Sequence, residues 1–159
     1  EMDVAAVRRT PRGDEGVKVI GLDEVEGALG TADHVINILP DNAESEGYFN
    51  DERFAAMKPG SVFYNIGRGT TVDQDALFGV LSSGHLEAAW LDVTEPEPLP
   101  ADSPLWDLGN LVITPHVAGN FYLAETFERI VKIAGENLSA WANGTPYRNV
   151  VDFTTGYRK

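Results

Sequence analysis

Four side chains stand out by type and setting: Arg68, Asp92, Glu97 and His116. Each follows a short β-branched or apolar run and lies in a Gly- or Pro-rich stretch. Val62-Phe63-Tyr64-Asn65-Ile66 leads into Gly67-Arg68-Gly69, residues 86–91 lead into Asp92, Glu97 stands between Pro96 and Pro98, and residues 110–115 lead into His116. An imidazole can give or take a hydroxyl proton, a carboxylate stabilises its charged form, and a guanidinium polarises a carbonyl and grips an adjacent carboxylate. Such a set suits reversible reduction of a carbonyl. None of the four groups carries a hydride, so a nicotinamide cofactor is implied. A histidine beside a glutamate also suits hydrolysis, but no serine stands in a matching turn and the chain has no cysteine.

Groups delivered at the ends of strands call for an α/β fold, a Rossmann-type doubly wound parallel sheet that presents its working residues at the carboxyl ends of its strands. The apolar pattern predicts a buried strand at 4–7, an extended piece at 18–20, and a short helix at 23–29 with Asp23 near its cap. It predicts a central strand over 32–40 broken by Pro40, a helical connection at 52–57 closed by Lys58-Pro59-Gly60, and a buried strand at 62–66. Gly67 and Gly69 are expected to let the backbone turn tightly around Arg68. Asp73 should cap a helix over 74–82 that stops at Ser83-Gly84. Strands follow at 86–93 and 110–114, separated by a loop with Pro96, Pro98, Pro100 and Pro104, whose length and proline content mark it as functional. A long helix over 120–141 has a broad apolar face and is stopped by Asn143-Gly144, and a tail of little periodicity follows. No helix or Gly-rich turn precedes the first strand, so Glu1 reads as a point inside a fold. His34 and His85 are expected to be structural or surface residues.

The 159 residues are enough for one domain with a real core, and 43 % hydrophobic content is ordinary for a globular chain. There is no apolar run long enough to span a membrane and no signal-peptide layout near residue 1, so a cytoplasmic protein is expected. Net charge −13, from 25 acidic and 12 basic residues, excludes the basic face that nucleic acid or an anionic membrane would need. The lysines are only Lys18, Lys58, Lys132 and Lys159. Scarce lysine in an acidic chain fits a halophilic source, where salt screens self-repulsion, or an ordinary acidic bacterial enzyme.

Against that acidic background Arg8 and Arg9 follow the first strand, with Thr10 beside them and Arg12 close by. In dinucleotide-binding folds an acidic residue at the end of the second strand binds the adenosine ribose, whereas arginine there accommodates a 2′-phosphate. NADP is therefore expected over NAD.

The chain resembles the D-isomer-specific 2-hydroxyacid dehydrogenases. The matching blocks are Leu39-Pro40, Met57-Lys58-Pro59-Gly60, residues 65–77, Leu91-Asp92-Val93, Glu97-Pro98-Leu99 and Thr114-Pro115-His116. The family sequence after Pro40 usually reads Leu-Thr-Pro-Glu-Thr; here Asp41-Asn42-Ala43-Glu44-Ser45 departs from it.

The resemblance implies hydride transfer between NADP(H), or NAD(H), and a small 2-oxo acid or D-2-hydroxy acid. It implies Arg68 as the substrate carboxylate and carbonyl binder, His116 as general acid and base, and Glu97, rather than Glu95, as its partner. It also implies cofactor contacts from Leu39, Pro40, Ile66, Arg68, His116 and Gly119, and from Asp92 to the nicotinamide carboxamide. By the same resemblance, residues 1–119 would be the second part of the NAD(P)-binding domain and 120–159 a helix and tail returning to a substrate domain absent from this chain, in an intact homodimer. The alternative is a dinucleotide-sensing, corepressor-like binding protein of the same fold.

Overall fold

Short apolar runs separated by crossover segments favour parallel pairing, because each crossover returns the chain to the same end of the sheet. β1 (Ala5–Val7) pairs in parallel with β2 (Lys18–Ile20). A second sheet runs in the order β3 (His34–Asn37), β4 (Val62–Asn65), β5 (Ala88–Leu91), β6 (Leu111–Ile113), again all parallel. The helices are α1 (Val25–Leu29), α2 (Asp51–Ala56), α3 (Gln74–Ser82) and α4 (Ala124–Asn143). This is the Rossmann-like arrangement expected. The computed structural model describes residues 2–10, 13–119 and 123–154, so Arg12 and the expected start of the long helix at 120 lie outside the described residues.

In each strand alternate residues point to opposite faces. In β4 it is Phe63 and Asn65 that are buried, and Phe63 meets Phe49 and Phe54 at centroid distances of 4.8 and 5.1 Å. Val25 and Leu29 of α1, Phe54 of α2, and Leu77 and Leu81 of α3 belong to the same cluster, together with Ala89 and Leu91 of β5. Each large apolar side chain in it contributes about 1.5–3 kcal/mol by leaving water. The opposite face carries a row in register across all four strands, Ile36, Tyr64, Trp90 and Val112. Ile36, Trp90 and Val112 remain exposed, so the helices of this chain cover one face of the sheet.

The helix ends follow local chemistry. Asn50 caps α2 by accepting from the Arg53 N–H at 3.1 Å, and Asp73 caps α3 by accepting from Asp75 and Ala76 at 3.0 and 3.1 Å. At the far end of α4, Gly144 takes the left-handed conformation, φ 63°, that stops a helix.

Four expectations need correction. The first strand is not buried: Val4 and Val7 are exposed, because among the described residues β1 pairs with β2 alone. The helix expected over 23–29 opens as a 3-10 turn, Leu22–Glu24, where the Gly21 N–H donates to the Glu24 carboxylate at 3.0 Å, and becomes α-helical only from Val25, with Glu24, next to Asp23, at its cap. The strand ending near Pro40 stands at the edge of the four-stranded sheet, not at its centre. The long helix starts at Ala124, and none of its residues is buried; Phe127, Ile130, Leu138 and Trp141 all face solvent. Among the described residues no helix is long and apolar enough to cross a membrane.

Candidate active site

All four strands of the larger sheet run the same way, so Leu39, Arg68, Asp92 and His116 leave it at the same, carboxyl, end. Their loops touch one another. A Cβ on Gly67 would lie 2.7 Å from the Leu39 carbonyl oxygen, and one on Gly69 would lie 2.0 Å from that of Thr94. Neither glycine has a positive φ. They are needed for close approach of two backbones, not for the tight turn expected.

Beneath Arg68 lies a buried polar network. The Asn37 amide donates to Asn65 Oδ1 at 3.0 Å and to Thr71 Oγ1 at 2.6 Å, while Asn65 Nδ2 and the Thr71 hydroxyl both donate to the Arg68 carbonyl, at 3.0 and 2.6 Å. Asn65 Oδ1 also accepts from the Gly67 N–H, and Asn37 Oδ1 from that of Leu39. Every group in the network has a partner, which is what a buried polar cluster needs to hold one geometry. The Arg68 guanidinium itself is exposed and, among the described residues, bonds only the Gly67 carbonyl, at 2.7 Å. Every other arginine among the described residues has a carboxylate partner: Arg8, Arg9, Arg53, Arg129 and Arg148. In a chain of net charge −13, Arg68 is the one described guanidinium left open to an anion.

At the next strand ends, His116 Nδ1 and Glu97 Oε1 are 2.7 Å apart. A carboxylate only accepts, so Nδ1 is the donor and Nε2 of the neutral ring is left as the acceptor. His116 has φ 51°, a left-handed conformation that costs a non-glycine residue of order 1–3 kcal/mol. Its own N–H, bonded to the Asp92 and Thr114 carbonyls at 2.9 and 3.0 Å, helps hold it there. Glu95 takes no part in this pair; its backbone is held by the Gln74 side chain.

Asp92 is buried, and both of its oxygens accept. Oδ1 receives the Thr114 hydroxyl at 2.5 Å and the Val117 N–H at 2.9 Å; Oδ2 receives the Ala118 N–H at 2.8 Å. Burial works against its charge, but those three hydrogen bonds and the nearby His116 outweigh it, and the carboxyl lies below its usual range. Asp92 thus anchors the loop that carries His116.

At the β1 end, Arg8 pairs with Glu15 at 3.1 Å and Arg9 with Glu44, which ties the loop after β1 to the one after β3. Thr10 is exposed beside them. Ile66 is exposed at the end of β4, Pro40 is half-buried, and Gly119 has φ 77° in the loop after His116.

A family model, D-isomer specific 2-hydroxyacid dehydrogenase, NAD binding domain, matches residues 1–118. The chain belongs to this family. A glyoxylate/hydroxypyruvate reductase B from Escherichia fergusonii is 39% identical over 147 residues, which are 92% of this chain and 44% of that protein. Among solved structures, a D-isomer specific 2-hydroxyacid dehydrogenase from Xanthobacter autotrophicus Py2, in complex with NADPH and MES, superposes with a TM-score of 0.88 at 39% identity, over 98% of this chain and 63% of that one. An NADPH-dependent glyoxylate/hydroxypyruvate reductase from Sinorhizobium meliloti, in complex with NADP and sulfate, gives a TM-score of 0.87 at 31% identity, over 98% and 49%. The chain spans about half the length of the curated relatives it matches.

In this NAD-binding-family domain the sequence pointed to the groups at the strand ends and missed those beneath them. Asn37, Asn65, Thr71 and Gln74 carry no chemistry of their own and drew no functional reading. One signal was available: Asn37 stands in an otherwise apolar strand run, and a polar residue there needs a buried partner.

The anchoring by Asp92 has a pH signature. A carboxyl whose folded pKa is depressed contributes stability that is present above its unfolded value, near 3.9, and lost as pH falls through the lower folded value. Asp92→Asn is expected to destabilise the protein by about 1–3 kcal/mol at pH 7, with the gap to the parent closing in strong acid. Urea unfolding at neutral and strongly acidic pH measures both. A gap that does not change with pH would show that the charge on Asp92 is not what holds the loop.

Proposed function

We propose that the protein reduces small 2-oxo acids to D-2-hydroxy acids with NADPH. What carries the reading is the joint placement, at the carboxyl end of one sheet, of a His116–Glu97 pair and an arginine that has no acidic partner among the described residues. Arg68 binds the substrate carboxylate and polarises the adjacent carbonyl, which orients C2 of the oxo acid. His116, charged, donates the Nε2 proton to the carbonyl oxygen as it becomes a hydroxyl, and Glu97 stabilises the imidazolium beforehand through Nδ1. In the reverse direction the same nitrogen takes the hydroxyl proton.

The residues present fit a phosphorylated dinucleotide. Arg8 and Arg9 stand together after β1, and a 2′-phosphate there would replace the carboxylates of Glu15 and Glu44 as their partner. When bound, the reduced nicotinamide supplies the hydride. Leu39, Pro40, Ile66 and Gly119, in the segments that follow β3, β4 and β6, are proposed as cofactor contacts. The relatives named for glyoxylate and hydroxypyruvate set the first substrates to try.

The test is loss of reduced-nicotinamide absorbance when the full-length enzyme carrying this chain meets glyoxylate, hydroxypyruvate or a longer 2-oxo acid, with NADPH and NADH in parallel. Faster use of NADPH is expected, and replacing Arg8 and Arg9 together with Ala should raise the KM for NADPH by at least about tenfold while leaving that for NADH nearly unchanged. Preference for NADH would keep the reductase and sink the assignment of the arginines. Binding of NADPH without turnover of any oxo acid would replace catalysis with dinucleotide sensing.

A further inference from the structure

Glu97 sits on an exposed loop, and burial does not hold its bond to His116, since both side chains are more than two-fifths exposed. Contacts from another element hold the loop instead. Gln74, the first residue of α3, uses both ends of its side-chain amide: Nε2 donates to the Glu95 carbonyl, and Oε1 accepts from the Glu95 N–H at 3.2 Å. The amide therefore satisfies both backbone groups of one residue, as a neighbouring strand would, two positions before Glu97. The base of the clasp is firm, because Asp73 caps the same first turn and Ala76 and Leu77 behind it are buried. On the near side Gly69 packs backbone to backbone against Thr94, whose hydroxyl donates to the Pro96 carbonyl at 3.0 Å.

We infer that Gln74 is a positioning residue for Glu97: by holding Glu95 from both sides it sets the point from which the Glu97 carboxylate reaches His116 Nδ1. The inference rests on the proposed function, in which Glu97 serves His116. The residue type fits the task. A glutamate at 74 would accept from the Glu95 N–H but has no donor for the carbonyl, and it would add charge beside Glu95 and Glu97; an alanine does neither.

The experiment compares Gln74→Ala, Gln74→Glu, Glu97→Gln and the double variant Gln74→Ala/Glu97→Gln in the full-length enzyme, with NADPH and the best oxo acid. Gln74→Ala is expected to lower kcat roughly tenfold to a hundredfold, as a small displacement of a catalytic group does. The KM for the oxo acid and the Kd for NADPH should stay within about twofold, since neither binding group moves. Placed on top of Glu97→Gln, Gln74→Ala should cost nothing more, because its effect runs through the carboxylate already removed. Gln74→Glu keeps size and helix propensity, loses the donor and adds a charge at the clasp, so it carries the test if the alanine variant does not fold; it too should lose kcat alone. Unchanged kcat in both Gln74 single variants, or the same loss with and without Glu97, overturns the positioning role. Full turnover in Glu97→Gln would sink the active-site reading itself, and this inference with it.

Discussion

Replacing His116 with Gln lowers oxo-acid reduction by about 100- to 10,000-fold, the span a positioned general acid contributes. Glutamine is close in reach and can still donate a hydrogen bond to Glu97, so the loop has little reason to move. What it cannot do is carry a proton to the carbonyl oxygen from the position of Nε2, the nitrogen that the Glu97 contact on Nδ1 leaves open. The loss should therefore fall on kcat, while NADPH binding, measured by fluorescence titration, stays near that of the parent. A single-turnover measurement separates the proton-transfer step from product release. Near-normal turnover would remove His116 from the chemistry and leave the pair with Glu97 as loop structure only.

Replacing Arg68 with Ala is expected to cost about 100- to 1,000-fold in kcat/KM, the loss seen when one preorganised charge donor is taken from a developing oxyanion. Here both terms should suffer. The substrate loses the partner for its carboxylate, which raises KM, and the carbonyl loses its polarising group, which lowers kcat. Arg68→Lys should recover only part of this, since an ammonium cannot give the planar, two-point grip of a guanidinium. Arg148, paired with Glu136 on the exposed helix, is the internal control: Arg148→Ala removes the same charge from the same acidic chain and should leave kcat/KM alone. An equal loss in both variants would trace the effect to net charge and not to the site. Stability is the remaining check, because the network below Arg68 bonds its carbonyl and not its side chain, so the thermal midpoint of Arg68→Ala should match that of the parent.

How far the sequence could be read depended on the range of the interaction. The strands at 62–65 and 88–91, the cap at Asp73, and the stops at Gly84 and Gly144 were legible because each rests on neighbours within a few positions. The pairing of His116 with Glu97 was expected through resemblance to the family, and the structure puts those two atoms in contact. Burial was read less well. The runs at 4–7 and along α4 are apolar, and apolar pattern alone predicts a buried face; whether anything covers that face depends on parts of the fold distant in sequence, and Val4, Val7, Phe127, Ile130, Leu138 and Trp141 are exposed. The place of β3 at the sheet edge is likewise a matter of strand order, on which a strand's own residues are silent.

By itself, then, the sequence determined the alternation of strand and helix, the acidic surface, and the residue types that can grip a carboxylate or move a proton, because these are properties of short stretches and of composition. Only the tertiary structure decided that Glu97 comes within 2.7 Å of His116, that Gly67 and Gly69 serve close approach of backbones, that both Asp92 oxygens hold the loop behind His116, and that Asn37 and Gln74 reach across to Thr71 and Glu95. The physical reason is common to all four. A hydrogen bond or a contact between backbones depends on distances of a few tenths of an ångström between residues about 20 to 35 positions apart, and no local pattern in the chain encodes that distance.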